Sequence, residues 1–131
     1  MPYAILRFQK RKAGGVAACE RHNERKKEAY KSNPDIDMER SKDNYHLVNP
    51  PRYTYKKEIN RMVAEAGCRT RKDSVMMVET LITASPEFMN SLPPKEQKAY
   101  FTMALDFISE RVGEKNILSA VVHMDERTPH M

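Results

Sequence analysis

The stretch from Ile117 to His130 limits most severely what this chain can fold into. Ile117 to Val122 is the longest uncharged apolar run in its 131 residues. It reads as a strand that ends at His123, with Leu118, Ala120, Val122 and Met124 on one face and Ile117, Ser119, Val121 and His123 on the other. The residues that follow, His123-Met124-Asp125-Glu126-Arg127-Thr128-Pro129-His130, hold two imidazoles and two carboxylates. Thr128-Pro129 turns the chain so that His130 can return alongside His123. A buried strand must therefore deliver a polar hairpin.

The rest of the chain supplies partners for that strand. Tyr3–Gln9 alternates, with Ala4, Leu6 and Phe8 on one face, and predicts a strand with that face buried. Gly14-Gly15 punctuates, and Val16–Tyr30 reads as a helix thin in apolar residues. Turn chemistry at Lys31-Ser32-Asn33-Pro34-Asp35 precedes a short strand, Asn44–Val48, closed by Asn49-Pro50-Pro51. Over Thr54–Ala66 the apolar positions Ile59, Met62, Val63 and Ala66 repeat with helical spacing, and Gly67 is the expected C-terminal cap. Ser74–Thr83 is a strand by composition. Pro94–Val112 is the clearest helix, with Phe101, Leu105, Ile108 and Val112 as its core stripe and Gly113 just past its end. The order of elements predicts an α+β or α/β sandwich with helices on one face of the sheet.

Composition narrows the function classes. Lys+Arg 23 against Asp+Glu 18 leaves a net charge of +5, which favours polyanionic partners. No segment approaches the roughly 18–20 apolar residues of a membrane span, so no membrane insertion is expected. The first residues carry no secretory signal pattern, and two cysteines do not make a disulfide framework. These features fit a basic cytoplasmic domain. No phosphate-binding loop, dinucleotide fingerprint, Ser-His-Asp order or paired C-x-x-C zinc motif is present in the sequence.

Two constellations carry chemistry. The first is the terminal cluster, because imidazole and carboxylate both offer lone pairs to a divalent metal at neutral pH. A solvated polar hairpin has the same composition. Strand geometry puts Asp125 on the His123 face, whereas a turn starting there brings Glu126 round instead, and spacing leaves both open. The second is Arg21-His22-Asn23-Glu24-Arg25-Lys26 on the first helix, where Ala18, His22, Arg25, Lys26 and Ala29 share one side. Neighbouring cations disfavour imidazolium, so His22 is expected to be neutral, while Arg25 and Lys26 suit a phosphate. A solvated charged face with an idle histidine is the alternative. Asp35 and Asp37 could bind metal, orient a side chain or cap turns, and Arg7 could meet a phosphate or an acid. Tyr30 and Tyr45 are chemically able to attack a phosphodiester, and both also suit half-buried packing.

Taken in order, these pieces resemble the MobV/Pre group of plasmid mobilisation (plasmid recombination) relaxases, which are His-hydrophobic-His single-strand DNA endonucleases. The matching segments are Tyr3-Ala4-Ile5-Leu6-Arg7-Phe8-Gln9-Lys10, then His22-Asn23-Glu24-Arg25, Asn33 through Asp37 with Arg40, Asn44-Tyr45, and His123-x-Asp-Glu-x-Thr-Pro-His130. The resemblance runs through the whole chain, and its last motif is highly specific. It implies a mainly antiparallel sheet with packed helices. It also implies an enzyme that nicks one strand at an origin of transfer and stays attached to the 5′ end. By the same resemblance His123, Glu126 and His130 are metal ligands for Mn²⁺ or Mg²⁺. His22 is the nucleophile, Arg25 a phosphate contact, and Asp35 and Asp37 helpers of the active site. Arg7, Arg21, Arg25, Lys26, Arg40, Asn44 and Tyr45 are the expected DNA contacts. The partner is plasmid DNA at the origin, single-stranded or as a hairpin.

One departure stands out. In the family the second ligand histidine is followed, one residue on, by a third and then by a central strand, whereas this sequence stops at Met131. Residues 1–131 therefore read as a single relaxase domain that is incomplete at its C-terminus, with weak metal affinity and little nicking of its own. An open sheet edge would favour a homodimer. A non-catalytic basic DNA-binding module is the alternative function, and steep salt dependence of binding without cleavage would mark it.

Overall fold

The structure is a computed structural model and describes residues 2–25 and 38–131. Its longest strand pair joins β1 (Ala4–Lys12) to β3 (Val75–Ala84), antiparallel from Ala4↔Ala84 to Lys12↔Val75. A second antiparallel pair joins β2 (Tyr45–Val48) to β4 (Ala120–Val122), with Tyr45 opposite Val122. His130 and Met131 stitch the two pairs together. Met131 exchanges both backbone hydrogen bonds with Ile82, at 2.8 and 2.9 Å, and His130 exchanges both with His123, at 2.7 and 3.4 Å. Mutual exchange between directly opposed residues is the antiparallel pattern. The lateral order is β1, β3, the 130–131 segment, β4, β2.

Alternation along these strands sorts side chains onto two faces. Ile82, Ala84 and Val122 form one core with Met89 and Phe101, and Tyr45, Leu47 and Met131 pack against it. Phe101, Met89 and Val122 are fully buried, each worth about 1.5–3 kcal/mol in transfer from water. They bring α3 (Pro86–Ser91) and α4 (Pro94–Val112) to that face. On the opposite face Glu79 meets Cys19 of α1 (Ala13–Asn23), and Val16 of α1 clusters with Tyr55 and Ile59 of α2 (Tyr55–Ala66). The mixed, antiparallel architecture is the expected one. The helices, expected on one face, are shared between both, because β3 and β4 present apolar or reactive residues in each direction.

Local signals set several element ends. Thr54 accepts the Lys57 N–H at 3.2 Å and starts α2, and Gly67, at φ 68°, ends it. The α4 boundaries are those expected from Pro94 and Gly113. Elsewhere tertiary pairing overrides punctuation. Gly14 and Gly15 lie inside α1, since β1 follows its partner as far as Lys12. That helix gives way to a turn at Glu24 and Arg25, and the rest of the span expected to be helical, up to Tyr30, lies outside the described residues. The supposed buried face of β1 is open, with Leu6 47% and Phe8 59% exposed, because β1 lies at the sheet edge and the α3–α4 core is centred on β3 and β4. The strand expected over Ile117–His123 shortens to Ala120–Val122, and both of its faces are buried.

Two further features are negative. Among the described residues no helix is long and apolar enough to cross a membrane. Cys19 is buried and Cys68 exposed, and both are free thiols.

Candidate active site

The hairpin after β4 folds His130 back onto His123, and backbone pairing fixes the approach: the ring centroids are 5.1 Å apart. Glu126 completes the group. One ligand atom from each of His123, Glu126 and His130 lies within 4.8 Å of the other two. The choice that spacing left open falls on Glu126, since the turn carries it round to the histidines while Asp125 points into the protein.

Both rings have their tautomers set by backbone carbonyls, which can only accept. His123 Nε2 lies 2.8 Å from the Asn23 carbonyl, so Nε2 carries hydrogen and Nδ1 faces His130 Nε2 at 3.3 Å. His130 Nδ1 lies 3.0 Å from the Thr128 carbonyl, which leaves Nε2 to face Glu126 Oε2 at 2.9 Å. Such outer contacts are what orient imidazole ligands and fix their basicity. Burial holds His123 neutral, with its pKa lowered to about 4. Burial also depresses His130, but the hydrogen bonds to Glu126 and to the Thr128 carbonyl outweigh it, and its pKa is raised.

The C-terminal turn of α1 faces this hairpin. His22, Asn23, His123, Glu126, Thr128 and His130 line one cleft, so residues a hundred positions apart converge. Burial, and then the Arg25 charge, lower the pKa of His22. The neutral state expected of His22 is thus the observed direction, with desolvation the larger cause. Arg25, at φ 52°, turns its guanidinium inward. Its Nε and Nη2 donate to Asp125 Oδ2 and Oδ1 at 2.7 and 2.8 Å, Nη2 also reaches Glu126 at 3.2 Å, and Nη1 donates to the His22 carbonyl at 2.5 Å. The Asp125 side chain is fully buried and that of Arg25 is 7% exposed. Ser41 Oγ donates to Asp125 Oδ2 at 2.6 Å. Burial alone would raise the Asp125 pKa, but hydrogen bonds from Arg25 and Ser41 hold it far below the usual carboxylate range.

The remaining candidates are dispersed. Arg7, Arg21 and Arg40 are exposed. Asn44 Oδ1 accepts the Met124 N–H at 2.6 Å and thereby braces the hairpin from inside. The Tyr45 ring lies on the face opposite the histidines, packed against the Phe101 core, with Lys98 Nζ 5.9 Å from its centroid. Lys26, Tyr30, Asp35 and Asp37 fall outside the described residues. Sequence reasoning did not anticipate the Arg25–Asp125 pair, the Ser41 contact or a cluster around Glu24. Partners up to 100 positions apart leave no local periodicity to read.

Residues 1–131 match the family model described as plasmid recombination enzyme (Mob_Pre). A plasmid recombination enzyme of Bacillus thuringiensis is 44% identical over 130 residues, covering 98% of this chain and 29% of that protein. The type 2 plasmid recombination enzyme of Staphylococcus aureus is 40% identical over 134 residues, covering 100% of this chain and 32% of that protein. The chain therefore spans about a third of the length of the curated relatives it matches. Among solved structures, the Mn-bound MobM relaxase domain with plasmid pMV158 oriT DNA at pH 6.8 matches with a TM-score of 0.90 and 39% identity, covering 98% of this chain and 67% of that one. The same domain bound to a 22-nucleotide oriT DNA at pH 5.5 gives 0.88 and 38% over the same shares of the two chains.

Proposed function

The chain belongs to the plasmid recombination enzyme (Mob_Pre) family, and on that premise we propose that it carries the nicking centre of a DNA relaxase. Its substrate is one strand of plasmid DNA at an origin of transfer, cut with covalent retention of the 5′ end for mobilisation or recombination. The observation that carries this reading is the convergence of His22 with His123, Glu126 and His130 in one cleft. Action on plasmid DNA makes the cytoplasm its place of work.

The residues suit a divalent cation. Two imidazole nitrogens and a carboxylate oxygen lie within reach of one point, and carbonyls hold both rings with the required nitrogen turned inward. Mixed nitrogen and oxygen ligation is compatible with Mn²⁺. Bound there, the ion supplies Lewis-acid polarisation of the non-bridging phosphate oxygens.

His22 is the nucleophile. Kept neutral by burial and by Arg25, it retains a ring lone pair at neutral pH. A nitrogen–phosphorus bond forms as the bond from phosphorus to the 3′ oxygen breaks. The leaving oxygen takes up a proton, and the ring of the resulting phosphoramidate releases its own. The bond energy stays available for rejoining. Arg25, bound to both carboxylates of the hairpin and to the His22 carbonyl, ties nucleophile and ligands into one frame. Arg7, Arg21 and Arg40 contact backbone phosphates in this reading. Lys26, Asp35 and Asp37 keep the roles that the family resemblance gives them.

The test is a trapping experiment with single-stranded origin DNA and Mn²⁺, read by peptide mass spectrometry. A DNA-bearing peptide containing His22 is expected, absent with His22→Ala or a chelator. Attachment at a tyrosine, or an adduct surviving His22→Ala, refutes the assignment. Salt-sensitive DNA binding with no adduct favours the non-catalytic alternative.

A further inference from the structure

One buried carboxylate that the mechanism does not use sits at the turn ending α1. The Glu24 side chain is 6% exposed and gathers donors from three separate parts of the chain. The Tyr55 hydroxyl, at the first residue of α2, donates to Oε2. Ser119 Oγ, just before β4, donates to the same oxygen at 3.0 Å, and His46 Nε2, on β2, lies 2.6 Å from Oε1. One helical turn earlier, Glu20 accepts the Tyr55 N–H at 2.8 Å, a second tie between the same two helices. Burial pushes the Glu24 pKa up, but the Tyr55, His46 and Ser119 hydrogen bonds outweigh it and hold it below the ordinary value. The group is therefore an anion at neutral pH, and hydrogen bonds to an anion are roughly twice as strong as neutral ones.

The neighbours of Glu24 give this anchor a purpose. Immediately before it, the Asn23 carbonyl accepts His123 Nε2–H. Immediately after it, Arg25 holds Asp125 and Glu126. We propose that Glu24 is a positioning residue for the ligand triad: by gathering Tyr55, His46 and Ser119 it holds the Asn23 carbonyl against His123, selects the Nε2–H tautomer and leaves Nδ1 for the metal. Only the use made of Nδ1 rests on the relaxase reading; the choice of tautomer does not.

The test uses the whole chain labelled with ¹⁵N-histidine, free of metal, and long-range ¹H–¹⁵N correlation spectra. Wild type is expected to show His123 in a single Nε2–H tautomer. Glu24→Ala converts it to a mixture and weakens Mn²⁺ binding about 10- to 100-fold, the range typical of lost outer-shell partners. Glu24→Gln still accepts from Tyr55 and Ser119 and restores most of the tautomer bias, a rescue that a mere packing role would not produce. Ser119→Ala removes a single donor and shifts both readouts less but in the same direction, which covers the case of a Glu24→Ala chain that does not fold. A folded variant with the His123 tautomer and Mn²⁺ affinity unchanged overturns the proposal. A wild-type chain that binds no Mn²⁺ but whose tautomer moves with Glu24 refutes the metal reading and leaves this inference standing.

Discussion

Replacing Asp125 with alanine removes the carboxylate that a buried Arg25 guanidinium grips with two of its donors. In the native fold two parallel hydrogen bonds of 2.7 and 2.8 Å join the pair, and the side chains are 7% and 0% exposed. Glu126 remains at 3.2 Å but is itself turned toward His130. Removing one partner of a buried pair costs about 3–5 kcal/mol. The Ser41–Asp125 hydrogen bond is lost as well, which adds about 1 kcal/mol. The sum is a large share of the roughly 5–15 kcal/mol that stabilises an ordinary domain. Urea titration followed by circular dichroism should show the midpoint falling steeply at unchanged slope. Replacing both partners with apolar residues, Arg25→Met with Asp125→Leu, should recover part of the loss, because the guanidinium is then no longer buried without its main carboxylate. A single-variant cost under about 1 kcal/mol, or a double variant as unstable as Asp125→Ala, would show that solvent reaches Arg25 and that the clamp is not what holds the hairpin to α1.

Other outcomes follow from the same geometry. Phe101→Ala, emptying a fully buried site between α4 and the sheet, should lose about 3–5 kcal/mol in a denaturant titration, and a loss under 1 kcal/mol would place that side chain outside the core. Glu126→Gln should abolish Mn²⁺ binding measured by calorimetry while leaving the far-ultraviolet spectrum intact; unchanged affinity would remove Glu126 from the ligand set. His123, with its pKa lowered from 6.5 to about 4, binds a proton more readily unfolded than folded. Its contribution of about 3 kcal/mol is present above pH 6.5 and is lost as pH falls toward 4, so His123→Asn should flatten stability over that window. His130 has the opposite sign: its raised pKa contributes stability below its unfolded value that is lost as pH rises through the folded one. Because Mn²⁺ must displace that proton, affinity should rise with pH across this interval, and a flat profile would contradict the Glu126–His130 contact.

Much of this was legible before any coordinates. Helix α4 begins and ends where its proline and glycine say it must, and α2 ends on the glycine cap expected of it. His123, Glu126 and His130 stand together as the family resemblance implied, and His22 lines the same cleft. Such features are legible because caps, turns and side-chain periods act over a few residues, within reach of a one-dimensional reading.

Tertiary structure decided the rest. Whether Leu6 and Phe8 are covered depends on where the α3–α4 layer settles, so their alternation could not tell a buried face from an open one. Asp125 and Glu126 are adjacent and chemically alike, yet the hairpin sends one to Arg25 and the other to His130, a division set by a guanidinium a hundred residues away. The ring tautomers depend on two carbonyls, one of them at the far end of the sequence. Local chemistry thus narrowed the candidates to side chains that offer lone pairs or charge. Bringing them to one point was left to strand pairing and to buried charge, since both act between residues that share no stretch of chain.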